Sequence, residues 1–527
     1  MVTRRDFVRA VSATSLALAS SDLVADLVAQ SPSGRVLESK FKGLSDIALL
    51  TAKRGGCSYA DIRFTRNVSD SVAVRDRVVV NGFGFGGQGR SESAGFGVRV
   101  IHSGVWGFAS SPLVTEDEVR RITLMAVDVA RASAIAKRSD VKLVPVAPVT
   151  DYWAVPVEVN PDRVSLDDKI GFLMKVNEEA LKVPDVFRVQ SSMAFDFEWK
   201  YLATSEGSYI EQEIWRTAPG LQVTARKGRS VKTRTFSVPP KTGGYEVVQG
   251  SGLLENVVRI AGEAVEHCTA PPIGAGLKDV VMTPAHAMLT IHEIVAHATE
   301  LDRVLGYEAN YAGTSFVKLA DVGKLKYGSK IFNVTADRTI PGGMCTVKYD
   351  DDGVRTTEFP IVRDGILVGL QTNRETAHFV GETASKGCTF ATSWRNYPFL
   401  RMPNVHVDAG PAGSPSPEQM IADVKDGVLI DGRGSYSIDQ QRYNGQFGGD
   451  AFWEIKNGKV TRMVTDVTYN AITTDFWANL DAVSGKEHWQ MFGTTGDAKG
   501  QPVQINHPSH GSPYLLVRKI MVGAAYS

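Results

Sequence analysis

His292-Glu293-Ile294-Val295-Ala296-His297 puts two imidazoles and a carboxylate into one short stretch of chain. Two neutral imidazoles plus a third ligand suit Zn²⁺, with a fourth position left open for water. A glutamate beside the first histidine is the residue type that serves as general base toward such a water, as in the HExxH enzymes. Glu300 and Asp302 follow closely. The histidine spacing here is five rather than four. On a straight α-helix, residues i and i+5 point about 140° apart, so the two rings do not share a face. A π-bulge or a loosened turn brings them together, and such bulges recur at functional sites. On spacing alone, two partly buried core histidines account for the motif as well as a metal site does.

A site of this kind needs an element to hold it. Thr283-Pro284 reads as a helix start, with Thr as N-cap and Pro at the first helical position, and Gly306 reads as the residue just past the helix end. Beyond it, many short apolar runs end in Gly, and the chain holds 50 glycines, which predicts strands joined by tight turns. Upstream, 44–54 reads as a helix, 60–65, 75–80 and 97–102 as strands, and 105–110 as the closing arm of a hairpin through Ser103-Gly104. Thr115-Glu116-Asp117-Glu118 is a capping box that opens a helix to about residue 134. A stretch holding Pro145, Pro148, Pro156 and Pro161 reads as a linker. After it come an amphipathic helix over 165–183, strands over 186–194, 198–204, 208–218 and 221–226, a turn at Ser205-Glu206-Gly207, and a helix over 253–267. Ala270-Pro271-Pro272 marks the next boundary.

The 527 residues allow about three domains at roughly 150 residues each. These readings divide the chain into a signal segment over 1–30, an N-terminal α/β domain over 40–145, a central domain over 150–268 and a C-terminal domain over 273–527. Apolar residues at 43% and charged residues at 22% are ordinary for a soluble globular protein. Lys plus Arg and Asp plus Glu both number 58, which gives no reason to expect nucleic acid or an anionic surface as partner. Cys57, Cys268, Cys345 and Cys388 match no zinc-ribbon or CxxC spacing and read as structural or free thiols. Thr3-Arg4-Arg5-Asp6-Phe7-Val8-Arg9, followed by apolar 10–19, reads as a twin-arginine export signal, cleaved near Ala17-Leu18-Ala19 or further on near Ala29. It predicts export of an already folded protein to the periplasm. No other segment approaches about 18 unbroken apolar residues, so no membrane span is expected after signal removal.

Two other motifs fail their context. Gly84-Phe85-Gly86-Gly87-Gln88-Gly89 fits GxGxxG but precedes a strand rather than a helix, so it reads as a glycine loop. Tyr349-Asp350-Asp351-Asp352-Gly353 lacks the ligand spacing of a calcium loop and reads as an acidic hairpin turn.

Taken with its neighbours, the histidine motif is more specific. His292-Glu293-x-x-x-His297-x-x-Glu300-x-Asp302 resembles the signature of the TldD/PmbA family of metallopeptidases, in its TldD branch. The resemblance extends over most of the chain after the signal. It includes Gly95-x-Gly97-Val98-Arg99-Val100, Gly104-x-Trp106-Gly107-Phe108-Ala109-Ser110, Asp337-Arg338-Thr339-Ile340-Pro341-Gly342-Gly343, Arg401-Met402-Pro403-Asn404 and Gly500-Gln501. It implies an α+β fold: N-terminal and central α/β domains, then a mainly antiparallel β C-terminal domain carrying the metal-site helix. It implies hydrolysis of unstructured or extended peptides inside a dimer cavity, either homodimeric or with a PmbA-like subunit. His292 and His297 then bind zinc, and Glu293 activates the attacking water. An extended substrate can pair with an exposed strand edge near the metal.

The family's third zinc ligand is a Cys in a Cys-Gly-Lys-x-Gly-Gln segment. The matching stretch here, Gly493-Thr494-Thr495-Gly496-Asp497-Ala498-Lys499-Gly500-Gln501, has none. Asp497, His507 and His510 are the substitutes within reach, and Asp497 sits closest to the missing position; a carboxylate is an acceptable zinc ligand. His507 and His510 lie on a Pro/Ser-rich loop that reads as surface. The missing Cys keeps two alternatives open: a non-catalytic partner subunit with weak or no metal, and a metal-dependent amidohydrolase acting on a non-peptide amide.

Overall fold

The computed structural model describes residues 36–80 and 89–524. The export-signal motif at residues 3–9 and the glycine run at 84–88 lie outside the described residues. The fold is α+β, with a mainly β C-terminal region.

The first half is built on one sheet. Its strands are β1 (Tyr59–Arg75), β2 (Ser91–His102), β3 (Val105–Ser111), β4 (Thr150–Ala154), β5 (Val186–Thr204) and β6 (Tyr209–Lys227), in the order β3-β2-β1-β5-β6-β4. Shorter strands extend β1 and β6. β1 and β5 run antiparallel in register from Asp61 opposite Thr204 to Arg75 opposite Gln190. Residues of the N-terminal and central segments therefore share one hydrogen-bonded sheet. The proline-bearing stretch read as a linker contributes β4, which pairs in parallel with the edge of β6. Its prolines flank the strand rather than interrupt it, and Tyr152 and Trp153 favour the extended form.

The two faces of this sheet differ in chemistry because side chains alternate along each strand. One face carries Ile62, Phe64, Val98, Trp199 and Tyr201, all buried. It is covered by α1 (Lys40–Arg54), α2 (Glu116–Ser133), α3 (Leu166–Leu181) and α4 (Leu253–His267). Ser39 caps α1 and Thr115 caps α2, and three acidic residues in the first turn of α2 complement the helix dipole. Glu118 leaves the predicted capping box half made: its backbone N–H donates to Thr115, while its carboxylate turns to Ser111 and Arg121.

The opposite face is polar and packs on the C-terminal region. Arg63 donates to the backbone oxygens of Ser393 and Asn396 at 3.1 and 2.9 Å. Arg99 pairs with Asp352 at 2.7 Å and Lys200 with Asp351 at 3.0 Å. Arg216 Nε donates to Met344 O at 2.8 Å. The acidic turn Asp350-Asp351-Asp352 is thus a buried partner for the cations of the first sheet.

The C-terminal sheet is built from β7 (Gly276–Met282), β8 (Asp426–Asp431), β9 (Tyr436–Ile438), β10 (Asn444–Gly448), β11 (Ala451–Lys456), β12 (Lys459–Val464), β13 (Val467–Ile472) and β14 (Leu515–Ala524). Their order is β9-β10-β13-β14-β7-β8-β11-β12; β7 and β8 are parallel and the other pairs antiparallel. β7 leads straight into the helix that carries the histidines. The four cysteines are free thiols, and no helix among the described residues is long and apolar enough to cross a membrane.

Candidate metal centre

The Thr283 hydroxyl caps the helix through the His286 N–H at 3.3 Å, and Pro284 takes the first position. α5 (Pro284–Ile291) then gives way to a π-turn over His292–Ala296 and a 3-10 turn over His297–Thr299. Glu300 is extended, at φ −70° and ψ 118°, and a short α6 (Leu301–Val304) follows. The single helix expected between Thr283 and Gly306 is therefore broken, and the break serves the site. The His297 N–H donates to His292 O, so the wider turn spaces the two rings on one side, with centroids 4.6 Å apart.

Loosening a buried helix leaves carbonyls without their usual partners, which is costly unless other donors replace them. They are replaced here. The Tyr327 hydroxyl donates to Ile294 O at 2.7 Å. The Thr299 hydroxyl donates to Val295 O at 2.9 Å, and Gln371 Nε2 donates to Ala296 O at 2.5 Å. Residues 299–301 pair with Gln371 through backbone bonds, which draws the chain out of the helix at Glu300.

Asp497 comes from a hairpin of Asp497–Lys499 with Gln504–Asn506. Arg401 donates to its backbone oxygen at 2.7 Å and to Oδ2 at 2.8 Å. That leaves Oδ1 facing both imidazoles, 3.9 Å from His292 Nε2 and 3.5 Å from His297 Nε2. Bonds of roughly 2.1 Å to a tetrahedral zinc put donors roughly 3.4 Å apart. The three groups present one ligand atom each, all within 4.8 Å of one another, and all three residues are buried.

Hydrogen bonds fix the tautomer of each histidine. His510 Nδ1 donates to Val405 O at 3.0 Å, so His510 Nε2 is an acceptor. It takes the proton of His292 Nδ1 at 2.8 Å, which leaves the lone pair of His292 Nε2 facing Asp497. His297 Nδ1 donates to Glu300 Oε2 at 2.9 Å, with the same result for its Nε2. Burial holds His292 well below its usual pKa and His297 down to about 3. Both are therefore neutral imidazoles, the form that ligates metal. Burial alone would raise Glu300, but Lys499, the His297 bond and Arg303 outweigh it and hold its carboxyl well below the usual range. Lys499 Nζ lies 2.9 Å from both Glu300 and Asp302.

Glu293 lies in the same cleft, of about 200 Å³, whose walls include Tyr436 and Ile438 of β9 together with Arg433 and Arg442. Burial pushes the Glu293 carboxyl up to about 7, opposed by Arg442. His507 and His510 are not the surface residues that their loop suggests. His510 is fully buried behind His292, whereas His507 is half-buried and donates to Thr495 O at 3.0 Å. His507 lines a neighbouring cavity of about 680 Å³ between the two halves of the molecule, which shares Gly496 with the metal cleft.

Sequence reasoning missed Arg442 and the supporting roles of Arg401, Lys499, Tyr327 and Gln371. Arg401 and Lys499 do fall inside segments that the family resemblance had already picked out.

Models of the PmbA/TldA metallopeptidase match this chain in three parts: domain 1 over residues 60–134, the central domain over 159–267 and the C-terminal domain over 275–524. A metalloprotease of Methanocaldococcus jannaschii is 27% identical over 443 residues, covering 81% of this chain and 89% of the relative. A zinc metalloprotease TldD homolog of Saccharolobus solfataricus is 23% identical over 483 residues, covering 90% of this chain and 98% of the relative. The crystal structure of TldE from Thermococcus kodakarensis aligns with a TM-score of 0.69 at 15% identity, covering 91% of this chain and 99% of that one, a likeness of fold alone.

Proposed function

The chain belongs to the PmbA/TldD family of metallopeptidases, and from that premise we propose that it is a zinc-dependent peptidase acting on extended or unstructured peptides, with His292, His297 and Asp497 as the metal's protein ligands. The observation that carries this reading is the convergence of three buried donor atoms, two of them with lone pairs aimed by a hydrogen-bonded backing, in a cleft that also holds Glu293.

Zinc, when bound, supplies Lewis acidity that polarises a carbonyl and makes water a stronger acid. The chain's own residues do the rest. Glu293, in the same cleft as the donor set, accepts a proton from the attacking water and passes it to the leaving nitrogen. Arg401 and Glu300 hold Asp497 and His297 in place. Among the described residues β9 pairs with β10 alone, so its outer edge is open to an extended peptide, which pairs through main-chain bonds with little demand on sequence. The protein acts as a dimer, with a second copy or a PmbA-like subunit, after twin-arginine export to the periplasm. The retained Glu293 and the donor set favour a catalytic subunit over a metal-free partner.

Gently purified protein is expected to hold one zinc per chain and to cleave casein or an unstructured peptide until a chelator is added. Glu293→Gln should keep the metal and lose roughly 10²–10⁴ in kcat. Absence of stoichiometric metal, or unchanged turnover in that variant, overturns the reading.

A further inference from the structure

The cleft holds a cation, Arg442, one edge of which faces the Glu293 carboxylate. Arg442 lies in the turn between β9 and β10, is 9% exposed and has a left-handed backbone at φ 63°. A non-glycine residue adopts that conformation where its surroundings impose it. Here the Asp439 carboxylate accepts the N–H groups of Tyr443 and Asn444 at 2.9 and 3.0 Å, and the Thr473 hydroxyl donates to Arg442 O at 2.7 Å. Arg442 Nη1 donates to Asp439 O at 3.0 Å. What remains faces the cleft: among the described residues neither the buried Nε nor Glu293 Oε2 makes a hydrogen bond, and the two form an ion pair at 3.5 Å. Arg433 stands further out, exposed and donating to Thr494 Oγ1 at 3.3 Å.

Resting on the peptidase reading above, we infer that Arg442 is a catalytic residue whose guanidinium donates to the oxygen of the scissile amide as that oxygen becomes an oxyanion. In that step the water oxygen bonds to the amide carbon, the C=O π pair moves onto oxygen, and a water proton passes to Glu293. The pair then returns, the C–N bond breaks, and the Glu293 proton goes to the leaving nitrogen. The products are a carboxylic acid and an amine. Before attack, Arg442 faces the Glu293 carboxylate. After it, Glu293 is neutral and the oxyanion carries the charge. The guanidinium thus faces one negative charge throughout, inside a cleft that shields it from water, the arrangement in which a fixed donor is most effective.

The test uses zinc-loaded protein and two probes: a phosphinate-linked peptide, which mimics the tetrahedral anion, and the amide peptide of the same sequence. In Arg442→Met, calorimetry is expected to show phosphinate affinity falling by roughly 10²–10³ while amide-peptide affinity and zinc content stay within about threefold. Turnover should lose kcat by a similar factor at unchanged KM. Arg442→Lys keeps the charge and the stem; it should lose less, and it carries the same comparison should the Met variant not fold. Equal losses for both probes, or none for either, overturn the inference. A parent that binds the phosphinate in this Arg442-dependent way yet cleaves no amide supports the anion site and sinks the peptidase reading instead.

Discussion

His510 shows how much of a metal site lies behind its ligands. It supplies none of the three ligand atoms, yet its acceptor nitrogen dictates which nitrogen of His292 is bare. Its replacement by Ala removes the acceptor, frees the His292 ring to rotate and leaves the Nδ1 proton buried. We expect His510→Ala to weaken zinc binding by roughly 10–100-fold, read by competition with a chromophoric chelator, alongside a loss of stability because a fully buried side chain and its hydrogen bonds go with it. Asp497→Ala should cost more, since it removes a ligand atom rather than its support. Equal affinity in parent and His510→Ala would show that the tautomer is set elsewhere. The carboxylate at 497 also marks a difference from the thiolate that the family resemblance implies. A hard oxygen donor pinned by Arg401 is a weaker partner for zinc than sulfur, and zinc is expected to be held correspondingly less tightly.

At the scale of the element, the π-turn holds only because distant side chains take up the carbonyls it exposes. Gln371→Leu removes the donor to Ala296 O and to the Thr299 hydroxyl. It should destabilise the protein by about 1–3 kcal/mol in urea denaturation and weaken metal binding as well, because the turn is then biased back toward α geometry and the rings apart. Loss of stability with unchanged zinc affinity would separate the turn from the site. This division also explains what could be read from the chain. The cap at Thr283-Pro284 is local chemistry, and the mismatch of a five-residue spacing with 3.6 residues per turn follows from geometry, so both the helix start and the need for a wider turn were legible. The residues that make the wider turn affordable, Tyr327 and Gln371, are far along the chain and carry no periodicity that points to them. The same reason hid Arg442, whose meaning comes from Glu293 and not from its neighbours. The strand β4 was misread because prolines mark edges and linkers alike, and only pairing with β6 tells them apart.

For the whole molecule, stability should depend on acid through histidines buried away from the metal. His286 is fully buried between Gly432 O and the Tyr469 hydroxyl, and burial brings it down to about 4. Its folded value lies below the unfolded one, so its contribution is fully present above about pH 6.5 and is lost as pH falls through 4. The unfolded chain binds the extra proton in that window, and stability therefore rises with pH there. The expected size is on the order of 3 kcal/mol. Urea midpoints at pH 7 and pH 4.5 should differ more in the parent than in His286→Gln; parallel shifts in both would assign the acid sensitivity to other groups.

β14 is the last strand described and also a middle one, flanked by β13 on one side and β7 on the other. The ligands follow the same plan: His292 lies just after β7, while Asp497 and the backing His510 come just before β14. The centre therefore forms only when a long-range closure brings the two ends of this half together. A copy in which those ends have come apart has the two histidines but not the carboxylate beside them, so it lacks the assembled triad.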